Sequence, residues 1–304
     1  MSNTMQTMAV INSRTGCEDF DLALFNAQKI ADLAQDLKQH QKQWWDLGLN
    51  GRISAMQDLA KSLAEHKAQL LAALINDTGR ASESALEIDV TINGIHRWCK
   101  QAPALLAKGE PWSAEIPFIE LQQDYLPYPL VGIISPWNFP LLLSLVDAIP
   151  ALLAGSAVLI KPSEVTSRFV APFNQLLKNI PILNKVLAVV TGAGETGQGV
   201  INAVDSLCFT GSVATGRQVG QLCAQRFIPA FLELGGKDPA IVCHDADPEV
   251  AAKALCWGSM VNAGQSCMSQ QFFWPSWWKT LKHLNITIPI FNKGKLGRLF
   301  LANK

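Results

Sequence analysis

The sequence predicts an α/β protein built on a doubly wound, mostly parallel sheet. From residue 131, short apolar strands alternate with helices, the strands being VGIIS (131–135), AVLIK (157–161), KVLAVVT (185–191) and SLCFT (206–210). Alternation of this kind produces parallel strands with helices on both faces of the sheet. A hydrophobic content of 49% against 16% charged residues suits a core-rich chain of one or two domains.

The residues before this alternation predict helices and an arm. Apolar side chains recur every three or four positions from residue 52 to 75, which is the pattern of one helix face. A second helix is predicted over about 82–107. Residues 111–130 contain four prolines and a stretch of alternating polarity, so we expect a projecting hairpin there rather than core.

The apolar stretch 141–160 has the length of a membrane span, but Asp147, Pro150 and Gly155 interrupt it. We therefore expect a buried helix over about 141–154, a glycine turn and then the strand 157–161. The remaining predicted elements are helices at 166–179, 196–203, 213–226 and 247–262, and strands at 231–235 and 239–243.

Composition argues against several classes of function. The 25 basic and 25 acidic residues balance, and no basic stripe indicates a nucleic-acid partner. Seven scattered cysteines without a CxxC pair fit free thiols in a reducing cytoplasm. The N-terminus has the features of neither a signal peptide nor a transit peptide. The histidines show no metal-ligand spacing, so no metal site is predicted.

Residues 271–304 differ from the rest of the chain. They contain seven aromatic residues, six basic residues and no acidic residue, without helical or strand periodicity. One interpretation is an unusual aromatic surface segment. The interpretation that the abrupt change favours is a non-native end, such as the out-of-frame product of a frameshift, which we expect to be disordered.

Three side chains are candidates for chemistry at a carbonyl carbon. Cys267 ends NAGQSC (262–267), where small residues can expose a nucleophilic thiol, although an ordinary buried cysteine is the alternative. Asn138 lies in the rigid turn PWNFP (136–140), from which its amide can donate to an oxyanion or simply form an Asx turn. Glu233 lies in an apolar strand, where burial would raise its pKa to suit a general base or where it pairs with a cation such as Lys237.

Two turns and one ion pair are candidates for nucleotide binding. GAGETG (192–197) matches GxGxxG between a strand and a helix, but the expected acidic residue about 20 positions later is missing. In FTGSVATG (209–216), Gly211 and Ser212 begin a helix whose first N–H groups can receive a pyrophosphate, or form a plain turn. Lys161 and Glu164 follow a buried strand and can bind ribose hydroxyls or form a surface pair.

Together PWNFP, KPSE (161–164), FTGS, LELGGK (232–237) and NAGQSC resemble, in this order, the aldehyde dehydrogenase superfamily over about residues 20–270. The resemblance implies oxidation of an aldehyde to a carboxylic acid with NAD, NADP also being possible. It implies Cys267 as catalytic thiol, Glu233 as general base and Asn138 as oxyanion donor. The implied cofactor-binding residues are Ile134, Ser135, Pro136, Trp137, Lys161, Glu164, Gly197, Gly211, Ser212 and Gly216.

The resemblance also divides the chain. It implies a helical part of the cofactor domain (1–110), an oligomerisation-type arm (111–130), a Rossmann-like part (131–240), the incomplete start of a catalytic α/β domain (241–270) and a non-family tail (271–304). Family members are homo-oligomers and continue past this point, so we expect a C-terminally truncated chain without the final oligomerisation strand, in which the strand PAIVC (239–243) lacks its partners.

Three functions remain open at this stage. The first is an active dehydrogenase. The second is an inactive remnant that binds at most nucleotide or a full-length relative, and the third is a cysteine hydrolase that uses Cys267 and Glu233 without a cofactor. No membrane partner is expected.

Overall fold

A computed structural model describes residues 6–12, 14–116, 118–243, 245–275, 288–292 and 295–299, with side chains up to residue 269. Within this described part, contacts divide the chain into two compact units. The first unit comprises Met1–Glu233 and the second comprises Leu234–Lys304.

The first unit opens with an antiparallel hairpin that the sequence analysis did not predict, formed by β1 (Thr7–Ile11) and β2 (Glu18–Ala23). Only one side chain in each strand is fully buried, Val10 in β1 and Leu22 in β2. Asp19, Phe20, Asp21 and Leu22 alternate polar and apolar side chains, so the sequence of β2 did contain a strand signal.

Helices follow the hairpin: α1 (Ala27–Asp46), α2 (Gly48–Glu65), α3 (Lys67–Thr78) and α4 (Ala81–Leu105). The single helix predicted over 52–75 is wrong, because the chain breaks at His66, whose φ of −100° and ψ of 13° are not helical. The ring Nδ1 of His66 lies 2.9 Å from the carbonyl oxygen of Ser62. The helix predicted over 82–107 is confirmed as α4.

A short hairpin separates α4 from the sheet. Strands β3 (Trp112–Ser113) and β4 (Glu120–Leu121) pair in antiparallel fashion, and their side chains are exposed. The predicted hairpin within 111–130 is therefore confirmed.

Among the described residues, five strands form the central sheet: β5 (Leu130–Ile134), β6 (Ala157–Lys161), β7 (Leu187–Val189), β8 (Ser206–Gly211) and β9 (Ala230–Leu234). Their order is β7-β6-β5-β8-β9, and β5 pairs in parallel with both β6 and β8. The chain runs from β5 to one side and returns to β8 on the other. The carboxyl ends of β5 and β8 therefore border the crevice where doubly wound sheets bind ligands.

Between the strands of this sheet the chain forms α5 (Pro140–Leu145), α6 (Ala148–Ala154), α7 (Val170–Leu177), α8 (Pro181–Asn184), α9 (Gly194–Ala203) and α10 (Val213–Gln225), and α1 also packs against β5 and β6. The single helix predicted over 141–154 is wrong, because it is interrupted at Val146 and Asp147. The helix predicted over 166–179 is present as the shorter α7, which a separate 3-10 turn at Glu164–Thr166 precedes.

The apolar stretch 141–160 is thus divided among α5, α6 and β6. No helix in the described part of the chain combines the length and hydropathy of a bilayer span. Gly155 ends α6 with a φ of 102°, and a Cβ there would lie 2.4 Å from a ring carbon of Trp45. Only glycine allows α1 to pack so closely against this turn.

The second unit contains β10 (Asp238–Val242), α11 (Pro248–Met260), β11 (Gln270–Pro275), β12 (Ile288–Asn292) and β13 (Lys295–Leu299). Strand β10 pairs in parallel with β11, so the expectation that PAIVC lacks a partner strand is wrong. Strands β12 and β13 form an antiparallel pair, although the sequence of this segment shows no strand periodicity. Residues 276–287, 293–294 and 300–304 of the predicted tail lie outside the described residues.

Candidate active site

The turn PWNFP connects β5 to α5 and carries Asn138. Two of its backbone carbonyl oxygens accept hydrogen bonds from side chains outside the turn. Thr166 Oγ1 donates to the carbonyl of Trp137 at 3.0 Å, and Arg80 Nη2 donates to the carbonyl of Asn138 at 3.1 Å. Each bond fixes one of two consecutive peptide groups, so the backbone that carries the Asn138 amide is held on both sides.

Buried hydroxyls support the start and the end of the same turn. Ser135, at the end of β5, lies with its Oγ 2.7 Å from Ser144 Oγ, and both side chains are buried. The Ser144 hydroxyl also lies 2.6 Å from the carbonyl oxygen of Pro140 and donates to it. The backbone N–H of Ser135 donates to the carbonyl of Lys161, which ties the turn to the end of β6.

Lys161 and Glu164, the two residues predicted to bind ribose, form an ion pair with each other. Lys161 ends β6 and is 5% exposed, and its Nζ donates to Glu164 Oε2 at 3.0 Å. Glu164 opens the 3-10 turn and is more exposed than Lys161. Gly197 of α9 lies beside the pair, since a Cβ on it would be 3.8 Å from Ile134 Cδ1 and 4.0 Å from Lys161 Cδ. These four residues therefore share the carboxyl edge of β5 and β6.

The second predicted nucleotide element begins where β8 ends. A Cβ on Gly211 would lie 2.6 Å from Phe209 Cζ, so the strand can turn there only with glycine. Ser212 caps α10, and its Oγ accepts from the N–H of Thr215 at 3.2 Å. Gly216 is buried in the first turns of the helix. The N-terminal N–H groups of α10 thus lie at the carboxyl edge of the sheet, as an anion site requires.

The GxGxxG-like stretch is explained by packing against the N-terminal segment. Thr191 Oγ1 donates to the carbonyl of Ala23 at 2.6 Å, and Thr196 Oγ1 donates to that of Phe25 at 2.7 Å. Gly199 lies against α1, where a Cβ would meet Ile30 at 3.6 Å. Small residues here allow α9 and α1 to approach each other.

Glu233 lies near the end of β9 and is exposed, so its expected burial is wrong. Strand β9 is the edge of the described sheet, and an edge strand offers less cover to its side chains. Glu233 is nevertheless close to other titratable groups. Burial raises the pKa of Asp147, at the start of α6, and the charge of Glu233 raises it further. Burial, with the charge of Asp147, raises the pKa of Cys208 to about 12.

In the second unit, the predicted exposure of the Cys267 thiol is confirmed. The loop before it departs from ordinary backbone geometry, since Asn262 and Ala263 have φ values of 57° and 56°. Asn262 is fully buried, and its side-chain amide donates to the carbonyl of Gln265 at 3.0 Å. Non-glycine residues with positive φ are held only where their surroundings enforce it, commonly at functional sites.

Comparison with known proteins assigns the family. Residues 1–273 match the model of the Aldehyde dehydrogenase family. The chain belongs to this family. Its match ends three residues after the predicted limit of the resemblance, and the chain spans about half the length of the curated relatives that it matches.

Relatives of this aldehyde dehydrogenase chain include enzymes of both bacteria and mammals. A provisionally named succinate-semialdehyde dehydrogenase [NADP(+)] of Mycolicibacterium smegmatis is 34% identical, the match covering 84% of this chain and 50% of the relative. Human aldehyde dehydrogenase family 3 member B1 is 33% identical, with 73% and 48% covered.

Solved structures of the family share the fold. A provisionally named aldehyde dehydrogenase PutA from Anabaena variabilis is 49% identical with a TM-score of 0.87, over 91% of this chain and 59% of that chain. An NAD-dependent benzaldehyde dehydrogenase from Corynebacterium glutamicum is 28% identical with a TM-score of 0.80, over 90% and 61%.

Within this member of the family, the first unit brings together Ile134, Ser135, Asn138, Lys161, Glu164 and Gly197, with Gly211–Gly216 following the neighbouring strand. Cys267 belongs to the second unit, so its convergence with Asn138 and Glu233 stays a prediction. Among the described residues, no group of three His, Cys, Asp or Glu side chains has the geometry of a metal site.

The sequence analysis did not include Arg80, Glu87 or Thr166 among the site residues. Arg80 precedes α4, Glu87 lies within it, and Thr166 ends the 3-10 turn. A signal for Glu87 did exist, because it lies on the buried face of α4 with Ile88, Thr91 and Ile95. A carboxyl group on the apolar face of a helix requires a partner.

Proposed function

We propose that this chain forms the cofactor-binding part and the nucleophile loop of an NAD(P)-dependent aldehyde dehydrogenase, which oxidises an aldehyde to a carboxylic acid. Family membership supports the reaction class. The observation that carries the proposal is the Lys161–Glu164 pair beside Gly197 and the PWNFP turn, at the carboxyl edge of the sheet. Binding at this edge is the rule in doubly wound folds.

The residues at this edge fit a nicotinamide dinucleotide. Lys161 and Glu164 offer one donor and one acceptor for the two hydroxyls of a ribose, and the N-terminus of α10 offers N–H groups to a pyrophosphate. Ile134, Ser135, Pro136 and Trp137 would line the cleft, with Gly211, Ser212 and Gly216 at the pyrophosphate. The Glu164 carboxylate would repel a 2′-phosphate, so we favour NAD over NADP.

In the proposed reaction, the Cys267 thiolate attacks the aldehyde carbon and forms a thiohemiacetal. The Asn138 amide and the N–H of Cys267 donate to the oxyanion, and the turn that carries Asn138 is fixed before substrate arrives. The bound nicotinamide supplies the hydride acceptor. Glu233 then takes a proton from water, whose oxygen attacks the thioester carbon and releases the acid and the thiol.

The second candidate is a chain that binds nucleotide without turnover. It stays open because the chain spans about half the length of the curated relatives reported above. Three other interpretations stay predictions: the hairpin β3–β4 as an oligomerisation arm, a frameshift origin of the tail and a cytoplasmic location. The exposed Trp112 and Leu121 support the arm.

Calorimetric titration with NAD and NADP, beside an assay of aldehyde-dependent NADH formation, separates the two candidates. We expect NAD binding that Lys161→Met weakens at least about tenfold, because the donor to ribose is lost. Lys178→Met, at an exposed lysine, is the matched control. Turnover should fall about 10⁴-fold in Cys267→Ala but not in Cys256→Ala, another exposed cysteine of the same unit.

Binding without turnover in the wild-type chain would favour the second candidate. Absence of both NAD binding and aldehyde-dependent NADH formation would contradict the proposal. Ester hydrolysis that requires Cys267 but is indifferent to NAD would support the cysteine hydrolase instead.

A further inference from the structure

Two charged residues, Arg80 at the cap of α4 and Glu87 within α4, bind the backbone of the Asn138 turn and of the helix that follows it, and the mechanism above does not use them. Arg80 donates from Nη2 to the carbonyl oxygen of Asn138 at 3.1 Å. Glu87 is only 2% exposed and accepts from the N–H of Leu142 at 3.2 Å, with the N–H of Leu141 as a further donor. One residue therefore holds the turn before Pro140, and the other holds the helix that starts after it.

Glu87 acts as the missing cap of α5. The residue at the cap position, Phe139, offers no side-chain acceptor, and Pro140 has no N–H to satisfy. The next two amides, those of Leu141 and Leu142, point to the Glu87 carboxylate of a different helix. A hydrogen bond to an ionised acceptor is about twice as strong as one between neutral groups.

The electrostatics of Glu87 agree with this contact. Burial raises its pKa to about 7, against the lowering effects of the Leu142 and Leu141 amides and of the Arg80 guanidinium. A buried carboxyl group is costly unless its partners are fixed. The three partners that stabilise the charge are the N–H groups of α5 and the same Arg80 that holds Asn138.

We propose that Arg80 and Glu87 are positioning residues for Asn138, Arg80 fixing the backbone within PWNFP and Glu87 fixing the first amides after it, so that the Asn138 amide is aimed before an oxyanion forms. The inference rests on the proposed role of Asn138 as oxyanion donor. A donor aimed in advance needs no reorganisation during the reaction, which is the source of its catalytic value.

Hydrogen exchange of the full chain, measured peptide by peptide, tests the inference without requiring turnover. We expect Arg80→Met and Glu87→Leu each to reduce the protection of amides in residues 137–143 by about tenfold, the loss of one charge-assisted hydrogen bond. Peptides of β6 and α6 should keep their protection. Arg80→Lys and Glu87→Gln, which retain a donor and an acceptor, should recover part of it.

Asp89→Asn is the matched control, because Asp89 is an exposed carboxylate on the same helix, 2.5 Å from Lys67 Nζ. Unchanged protection of 137–143 in both Arg80→Met and Glu87→Leu would overturn the inference. Equal loss of protection throughout the first unit would overturn it as well, since it would indicate a general structural role.

Turnover gives a separate readout. Arg80→Met should lower kcat while the dissociation constant of NAD and the KM of the aldehyde stay within about twofold, because the ribose pair is untouched. A rise in the KM of the aldehyde with unchanged kcat would contradict the proposal that Arg80 positions Asn138. If the wild-type chain has no turnover, the proposed function fails, whereas the exchange experiment still decides whether Arg80 and Glu87 hold the turn.

Discussion

The turn that carries Asn138 and the loop that carries Cys267 differ in where their described bonds come from. Besides the local bonds of Ser135 and Ser144, the turn has two bonds from far along the chain, with Arg80 lying 58 residues away and Thr166 lying 29 residues from Trp137. Two bonds described in the Cys267 loop are local, one from Asn262 to the carbonyl of Gln265 and one from Ser269 to the carbonyl of Ser259.

This difference has a consequence for stability. The bonds from Arg80 and Thr166 form only when the start of α4 and the 3-10 turn are in place, so the order of the Asn138 turn depends on the packing of the first unit. A local bond such as that of Asn262 can persist while its surroundings change, although the positive φ values beside it cost free energy. The turn should therefore respond to changes on α4, and the Cys267 loop to changes within itself.

The largest predicted effect is the pH dependence of folding stability that Glu87 causes. Its pKa is raised from 4.5 unfolded to about 7 folded, so the folded state binds more protons between these pH values. Stability should therefore fall as pH rises through this window, by about 3 kcal/mol at most, and stay level above it. Chemical denaturation across pH, comparing wild type with Glu87→Gln, measures this contribution as a difference.

The variant should remove the slope that Glu87 causes while leaving contributions of other carboxyl groups, such as Asp77 and Asp147, in both proteins. If the free energy of unfolding depends on pH in the same way in both proteins, Glu87 is solvated. It would then not act as the long-range cap of α5.

A smaller effect is expected within the Cys267 loop. Asn262→Ala removes the hydrogen bond to the Gln265 carbonyl and leaves an alanine at a φ of 57°, which together should destabilise the loop by about 2 kcal/mol. We expect faster hydrogen exchange in residues 259–269 and altered alkylation of Cys267, with exchange in the first unit unchanged. Met268→Ala, at an exposed side chain of the same loop, should have little effect.

The same contrast explains what the sequence could predict. Strands β5, β6 and β8 were predicted within a residue of their bounds, because each is a short, buried apolar run followed by a turn. Exposure of Cys267 was predicted for a local reason, the small residues that precede it. The Lys161–Glu164 ion pair is also local, since the two residues are three positions apart, and its proposed role in ribose binding stays a prediction.

Features that depend on distant partners were missed or wrong. Arg80 and Glu87 carry no local mark that points to PWNFP, since their partners lie more than fifty residues further along the chain. The burial predicted for Glu233 from its apolar neighbours was wrong, because cover depends on which strands flank β9. Local pattern determines which residues form an element, whereas the order of strands determines what each side chain meets.

The smallest predicted effect tests whether each distant hydrogen bond to the turn orders it independently of the others. Thr166 is 2% exposed, and its hydroxyl donates to the Trp137 carbonyl at 3.0 Å. Thr166→Val keeps the shape of the side chain and removes only the donor, so stability should fall by about 1 kcal/mol. Thr166→Ser keeps the donor and should retain the exchange protection of residues 137–143. If valine leaves that protection at the wild-type level while Arg80→Met lowers it, the Asn138 carbonyl rather than the Trp137 carbonyl is the point at which the turn is held.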